Sequence, residues 1–300
     1  MPSSRPRRSV LYVPGVNERA LAKLPGLAAD VVILDLEDSV APQMKAAARE
    51  RVVALLAMPR RDDGPELVVR INALADGEGE ADLAAVLPAA PDGILLPKVA
   101  VPHDLAVLRA FARAECPETG AALWAMIETA RAVADPLAIA LAQDQILPLT
   151  ALVLGLNDLS VALGTRLRPG RAAFLPLMMG VLAAARAGEI DVIDAVYNDI
   201  ADAEGFAEEC LFAADCGFDG KTLIHPAQID AANHAFAPSN DAIAAAEAIA
   251  GLFDRPENRD RGVVAHEGRM VERLHAEAAG RLLARARAIA ARTEAVTRDI

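Results

Sequence analysis

Acids, bases and amides recur in this chain directly after short apolar runs. Glu37 and Asp38 follow Ile33-Leu34-Asp35-Leu36, Arg70 and Asn72 flank Ile71, and Lys98 follows Leu96-Pro97. Glu128 follows Met126-Ile127, Asn157-Asp158 follows Leu154-Gly155-Leu156, Asn198 follows Val196-Tyr197, and Lys221 lies in the last such run. Loops that served stability alone would not need a charged group after nearly every run. Two carboxylates from consecutive runs, Glu128 and Asp158, make a hard oxygen site suited to Mg2+ with waters and a substrate oxygen. The bland alternative is that each caps a helix or pairs with an arginine. Glu37 and Asp38 either cap the helix that begins near Ala41-Pro42 or hold a metal-bound water or Lys98. Arg70 suits an oxyanion or carboxylate clamp, since its planar fork binds such groups through two donors; an interior ion pair with Glu37 or Asp38 is the other reading. Lys98 and Lys221, among so many acids, read as protonated and ion-paired rather than as Schiff-base lysines. Asp35 stays unassigned. His225, in Ile224-His225-Pro226, reads as a loop-fixing hydrogen bonder, and Trp124 as core.

These side chains need elements to aim them. The apolar runs Ser9–Val13, Val31–Leu36, Leu67–Ile71, Gly93–Leu96, Leu123–Ile127, Ala151–Leu156, Asp191–Val196 and Phe218–Thr222 read as strands buried on both faces. Helical stretches alternate with them: Glu18–Ala28, Gln43–Ala57, Asp82–Ala89, His103–Glu115, Ala130–Ala142, Arg171–Ala187, Ala203–Cys216 and Ala227–Phe236. Eight alternations predict an α/β chain closed into a (β/α)8 TIM barrel, whose active sites form at the C-terminal ends of the strands. A doubly wound open sheet is the alternative, but Pro14-Gly15-Val16-Asn17 lacks its Gly-rich phosphate turn. The barrel is expected over residues 1–236 and a C-terminal lid segment over 237–300. In that segment a helix capped at Pro238-Ser239-Asn240 precedes a hairpin turning at Glu267-Gly268 and a last helix from Leu274 to Ala291.

Composition sets outer bounds. Of the 300 residues 54% are hydrophobic and only 3% aromatic, so Ala, Leu, Val and Ile must fill the core. The net charge of -12 argues against a nucleic-acid groove, which needs a basic stripe. Cys116, Cys210 and Cys216 have no zinc-like spacing and are expected as reduced thiols. No apolar run reaches membrane-spanning length and no signal-peptide core follows Met1–Arg8, so the expected location is cytoplasmic, with no membrane partner.

Arg8-Ser9-Val10-Leu11-Tyr12-Val13-Pro14-Gly15, Leu34-Asp35-Leu36-Glu37-Asp38, Arg70-Ile71-Asn72, Leu96-Pro97-Lys98, Ile127-Glu128-Thr129, Asn157-Asp158-Leu159 and Gly220-Lys221-Thr222-Leu223-Ile224-His225-Pro226 together resemble the citrate lyase beta-subunit-like (CoA ester lyase) family, within the HpcH/HpaI aldolase superfamily. The malyl-CoA lyase and (3S)-malyl-CoA thioesterase branches are the most similar. The resemblance implies a homotrimer or a dimer of trimers, Mg2+, and a CoA thioester and a 2-oxo acid as small-molecule partners. It implies Glu128 and Asp158 as metal ligands, Arg70 on the thioester carbonyl or enolate, and contact of the Arg8 segment with CoA phosphates. It also implies that Glu272, on the C-terminal hairpin, reaches a neighbouring subunit's site as the base, where the lyases usually carry Asp. Leu156 stands where a small polar residue is common, which would reshape the metal pocket. The implied reaction is Mg2+-dependent retro-aldol cleavage of a malyl-, citramalyl- or citryl-CoA type thioester. Glu37, Asp38 and Lys98 complete the expected site. Thioester hydrolysis on the same site is the alternative, ahead of a CoA-independent pyruvate-type aldolase and a non-catalytic acyl-CoA-binding subunit.

Overall fold

Strand alternation decides where each rim residue points. In a computed structural model, which describes residues 5–61 and 64–297, β1 (Ser9–Pro14), β2 (Val31–Asp35), β3 (Glu66–Arg70), β4 (Gly93–Leu96), β5 (Ala122–Ile127), β6 (Leu149–Leu154), β7 (Asp191–Asp194) and β8 (Gly220–Leu223) pair in parallel, in sequence order, and β8 returns to β1. The barrel is closed, as the alternating pattern predicted. One side of each of β1 to β7 supplies the apolar interior: Val10, Val31, Ile33, Val68, Leu95, Trp124, Met126, Ala151, Val153 and Ile193. The other side, with Leu11, Val32, Leu34, Val69 and Ile94 among its members, packs under the helices. Both faces are apolar, as parallel strands covered by helices require.

The covering helices are α1 (Glu18–Leu21), α2 (Lys45–Leu56), α3 (Glu78–Val86), α4 (Pro102–Glu115), α5 (Ala130–Ala134), α6 (Pro136–Ala140), α7 (Leu156–Ala162), α8 (Leu175–Ala187), α9 (Ala203–Cys216) and α10 (Ile229–Ala235). Several are shorter than the apolar pattern suggested. The helix expected over Glu18–Ala28 stops at Leu21, and Pro25 opens a separate 3-10 turn. The one expected over Ala130–Ala142 breaks at Asp135-Pro136, where proline cannot donate to the preceding turn and Asp135 caps a new helix. The sixth strand ends at Leu154, two residues early, because Gly155 caps α7. Asp158 therefore sits in the first turn of a short helix and not on a strand end.

The floor of the barrel is charged. Arg7, just before β1, bonds Glu66 through Nε and Nη2 (2.9 and 2.8 Å) and Asp191 through Nη1 (2.9 Å). Its guanidinium lies 4.6 Å from the centroid of the Trp124 ring. Glu66 and Asp191 open their strands, so one guanidinium bridges two buried acids.

By its contacts the chain divides into two compact units, Arg7–Phe236 and a second beginning at Ala237. The second holds α11 (Asn240–Ala250), capped by Ser239, then a hairpin of β9 (Val263–His266) and β10 (Arg269–Glu272), then α12 (Arg273–Thr297). Its turn falls at Glu267-Gly268, both with left-handed φ of 49° and 76°, the geometry a two-residue hairpin needs. Leu252, Phe253, Val264 and Val271 form this unit's own core. The three cysteines are free thiols, and burial pushes Cys210 up to about 12. Among the described residues no helix is long and apolar enough to cross a membrane.

Candidate active site

Asp35 and Arg70 are register partners on neighbouring strands, both on the interior side at the C-terminal end of the barrel. The register makes them a forked pair: Arg70 Nε donates to Asp35 Oδ1 at 2.6 Å and Nη2 to Oδ2 at 2.7 Å. Asp35 also accepts the backbone N–H groups of Glu37 and Ser39, at 3.0 and 3.2 Å. The partner of Arg70 is thus chiefly the acid left unassigned from sequence. Glu37 joins it at 3.0 Å from Nη1, and Asp38 stands off at 4.0 Å. The guanidinium also stacks on Tyr12, 4.8 Å from its centroid. Burial alone would favour neutral groups, but the pair outweighs it: Asp35 is held below and Arg70 above their ordinary ranges. A fixed, permanently charged guanidinium results.

The other half of the site is built on Lys98. This residue has a left-handed φ of 54°, and its backbone N–H donates to Glu128 Oε1 at 2.7 Å. Its ammonium lies 2.5 Å from Asp158 Oδ2, 3.4 Å from Glu37 Oε1, 3.6 Å from Asp38 Oδ2 and 3.9 Å from Glu128 Oε1. Burial works against this charge; the bond to Asp158 and the charges of Glu128, Glu37 and Asp38 prevail and raise its pKa. The structure thus brings Glu37, Asp38, Arg70, Lys98, Glu128 and Asp158 together around one mouth. Neither Glu37 nor Asp38 caps the following helix, which opens at Ala41 without a side-chain cap; both face the cations instead.

Glu128 is buried, and burial raises its carboxyl to about 7 despite the Lys98 N–H and ammonium. Its position depends on Gly155, at the end of β6. A Cβ there would fall 2.5 Å from Glu128 Cβ and 2.8 Å from Oε2. Gly155→Ala should therefore displace the Glu128 carboxylate; with that acid as a metal ligand, the role proposed below, Mg2+ half-saturation is expected to weaken about ten- to a hundredfold. Metal-dependence curves on the purified variant check this. Thr129 anchors the same turn, donating to Val99 O at 2.8 Å and capping α5. Asn157 and Asn198 exchange amide hydrogen bonds of 3.1 and 2.8 Å and tie α7 to the loop after β7.

Two expectations need correction, for Arg8 and Leu156, while Lys221 is ion-paired as expected, away from the mouth. Arg8 lies before β1, at the opposite end of the barrel, buried and forked onto Asp30 (2.8 and 2.9 Å), so its guanidinium is a floor staple and not a phosphate contact. Leu156 is buried in the layer between strands and helices and does not line the mouth. Lys221 alternates outward and is fully buried, bonded to Asp194 (2.7 Å), Glu209 (2.7 Å) and Ala195 O (2.6 Å), with Arg171 closing the network onto both acids. His225, as expected, is a loop anchor: its Nδ1 accepts from Ala227 N. Glu272 ends β10 opposite Val263, and its N–H donates to His275 Nδ1 at 2.9 Å.

Among the described residues no three of His, Cys, Asp or Glu converge as a ready metal cage. Two carboxylates do reach one ammonium nitrogen, which bounds their separation to the sum of those two contacts. A pair of carboxylate oxygens matches how Mg2+ is usually held, by one or two carboxylates. The Gly155 cradle for Glu128 fits the same use.

A family model described as HpcH/HpaI aldolase/citrate lyase matches residues 8–226. The chain belongs to this family. Within the HpcH/HpaI group it is 43% identical over 289 residues to a (3S)-malyl-CoA thioesterase of Cereibacter sphaeroides, covering 96% of this chain and 97% of that one. It is 33% identical to citrate lyase subunit beta of Escherichia coli, over 97% and 94% of the two chains. The CitE protein of Mycobacterium tuberculosis, solved with magnesium, acetoacetate and coenzyme A, superposes with a TM-score of 0.75 at 32% identity, over 95% of this chain and 99% of that one. These likenesses run through the C-terminal unit as well as the barrel.

Proposed function

We propose that the chain acts on a short 3-hydroxyacyl-CoA of the malyl type, with Mg2+ held by Glu128 and Asp158, and that it hydrolyses the thioester. The chain is an enzyme of CoA esters, a lyase or a thioester hydrolase, as its relatives are. The observation that carries the reading is the meeting of Glu128, Asp158, Lys98 and Arg70 at one barrel mouth. Hydrolysis is favoured over carbon–carbon cleavage by the 43% identity to a malyl-CoA thioesterase along nearly its whole length. Glu in place of the Asp usual in the lyases at position 272 points the same way.

When bound, the metal polarises the substrate's hydroxyl and carboxylate oxygens. The protein's own groups do the rest. Asp35 and Glu37 hold the Arg70 guanidinium rigid, so its charge can meet negative charge developing on the thioester oxygen without reorganisation. In hydrolysis, water adds to the carbonyl carbon, the C–S bond breaks, and the sulfur leaves as thiol with the proton that water gave up. Glu272, contributed by a neighbouring subunit of a trimer, would take and return that proton. Retro-aldol cleavage is the second reading, supported by the likeness to CitE with magnesium and acetoacetate. It would use the same groups, with Arg70 on the enolate oxygen.

Incubation with (3S)-malyl-CoA and Mg2+, following free thiol and glyoxylate separately, tests this. Thiol and malate without glyoxylate are expected; glyoxylate without thiol selects the lyase. Neither product from malyl-, citramalyl- and citryl-CoA would overturn the substrate class.

A further inference from the structure

Four carboxylates stand within 4 Å of the single Lys98 ammonium, and they fall into two pairs. Glu128 and Asp158 are the pair assigned above to the cation. Glu37 and Asp38 are a second pair from the other side of the mouth, and Arg70 partly neutralises Glu37. An ammonium bonded to Asp158 Oδ2 at 2.5 Å and a divalent ion on the same oxygen repel strongly at that spacing. The side chain is 39% exposed, so it has freedom to swing. Its backbone does not: the left-handed φ and the N–H bond to Glu128 hold the residue in place.

We propose that Lys98 is an exchangeable counter-ion: its ammonium yields Glu128 and Asp158 to Mg2+ and moves fully onto Glu37 and Asp38. The backbone N–H stays on Glu128 throughout and keeps that ligand aimed. This rests on the metal reading and gives Glu37 and Asp38 a task that helix capping does not. They are positioning residues that hold the lysine clear of the metal seat. The arrangement sets metal affinity lower than two carboxylates alone would give, and places a cation beside the seat where an anionic substrate group would arrive.

Calorimetric titration of the full chain with MgCl2 alone, without substrate, tests it. Lys98→Met, with Lys98→Gln as a second variant should the first fold poorly, is expected to bind Mg2+ about tenfold more tightly. The pair Glu37→Gln and Asp38→Asn is expected to weaken binding about tenfold when Lys98 is present, and markedly less in the Lys98→Met background. Melting temperatures confirm that each variant is folded. Unchanged or weaker binding by both lysine variants overturns the exchange, as does an equal loss from the amide pair in both backgrounds. The metal reading fails separately, and the exchange with it, if Glu128→Gln with Asp158→Asn binds Mg2+ as the native chain does.

Discussion

Glu128→Gln is expected to lower Mg2+-dependent turnover by roughly 10³-fold, about 4 kcal/mol of transition-state stabilisation, with little loss of stability. The amide matches the carboxylate in shape and retains an oxygen to accept the Lys98 N–H. What it loses is the charge that a divalent cation requires. The same substitution removes a carboxyl that burial holds near 7, so it also relieves a desolvation cost in the folded chain. Activity and stability should therefore move independently. The measurement is kcat and the Mg2+ dependence of the thiol release rate, alongside a thermal melt. A variant retaining more than about a tenth of native turnover would leave Glu128 without a chemical role.

Asp194→Ala is expected to destabilise the barrel by about 3–5 kcal/mol, because it strands Lys221 and Arg171 in the interior beside Glu209 alone. Lys221 and Asp194 are both fully buried, so solvent does not screen the loss. The sign with pH follows from the direction of the shift. Burial would raise Asp194, but Lys221 and Arg171 hold it below its ordinary value. Its stabilisation is therefore complete above the usual aspartate range and is lost as pH falls through the lower folded value. Urea denaturation at neutral pH measures the effect. Adding Lys221→Met to Asp194→Ala should recover part of the loss, since a buried pair replaced by apolar groups costs less than a buried charge left alone. An equal loss in the single and double variants would contradict the account.

Much of the site was legible from sequence because a continuous apolar run and the polar residue just beyond it share one logic. An apolar run followed by Glu128, Lys98 or Glu37 announces a strand whose next polar residue stands at the C-terminal rim of the barrel. What the sequence hid depends on partners far along the chain. Asp35 and Arg70 are 35 residues apart and meet only through the β2–β3 register. Arg7 closes the floor on Glu66 and Asp191, 59 and 184 residues away. A signal existed there: acids that open buried strands, Glu66, Asp191 and Asp30 at the edge of β2, demand cations at the same end. The arginines preceding β1 were the cations available, so Arg8 could have been assigned to the floor by its place before the strand rather than to a ligand. Asp158 was placed in the right region but on the wrong element, because Gly155-Leu156 continues the apolar run while the backbone has already turned into a helix. Gly155 itself is explained by a neighbour, the Glu128 side chain lying across it, and not by its own backbone angles.

The most direct measurement is an anomalous-difference map from crystals of the native chain soaked in Mn2+. A peak between the Glu128 and Asp158 carboxylates, lost in crystals of Glu128→Gln, is the predicted result. A peak elsewhere, or none between these two acids at saturating Mn2+, would contradict the claim that they share a cation beside Arg70.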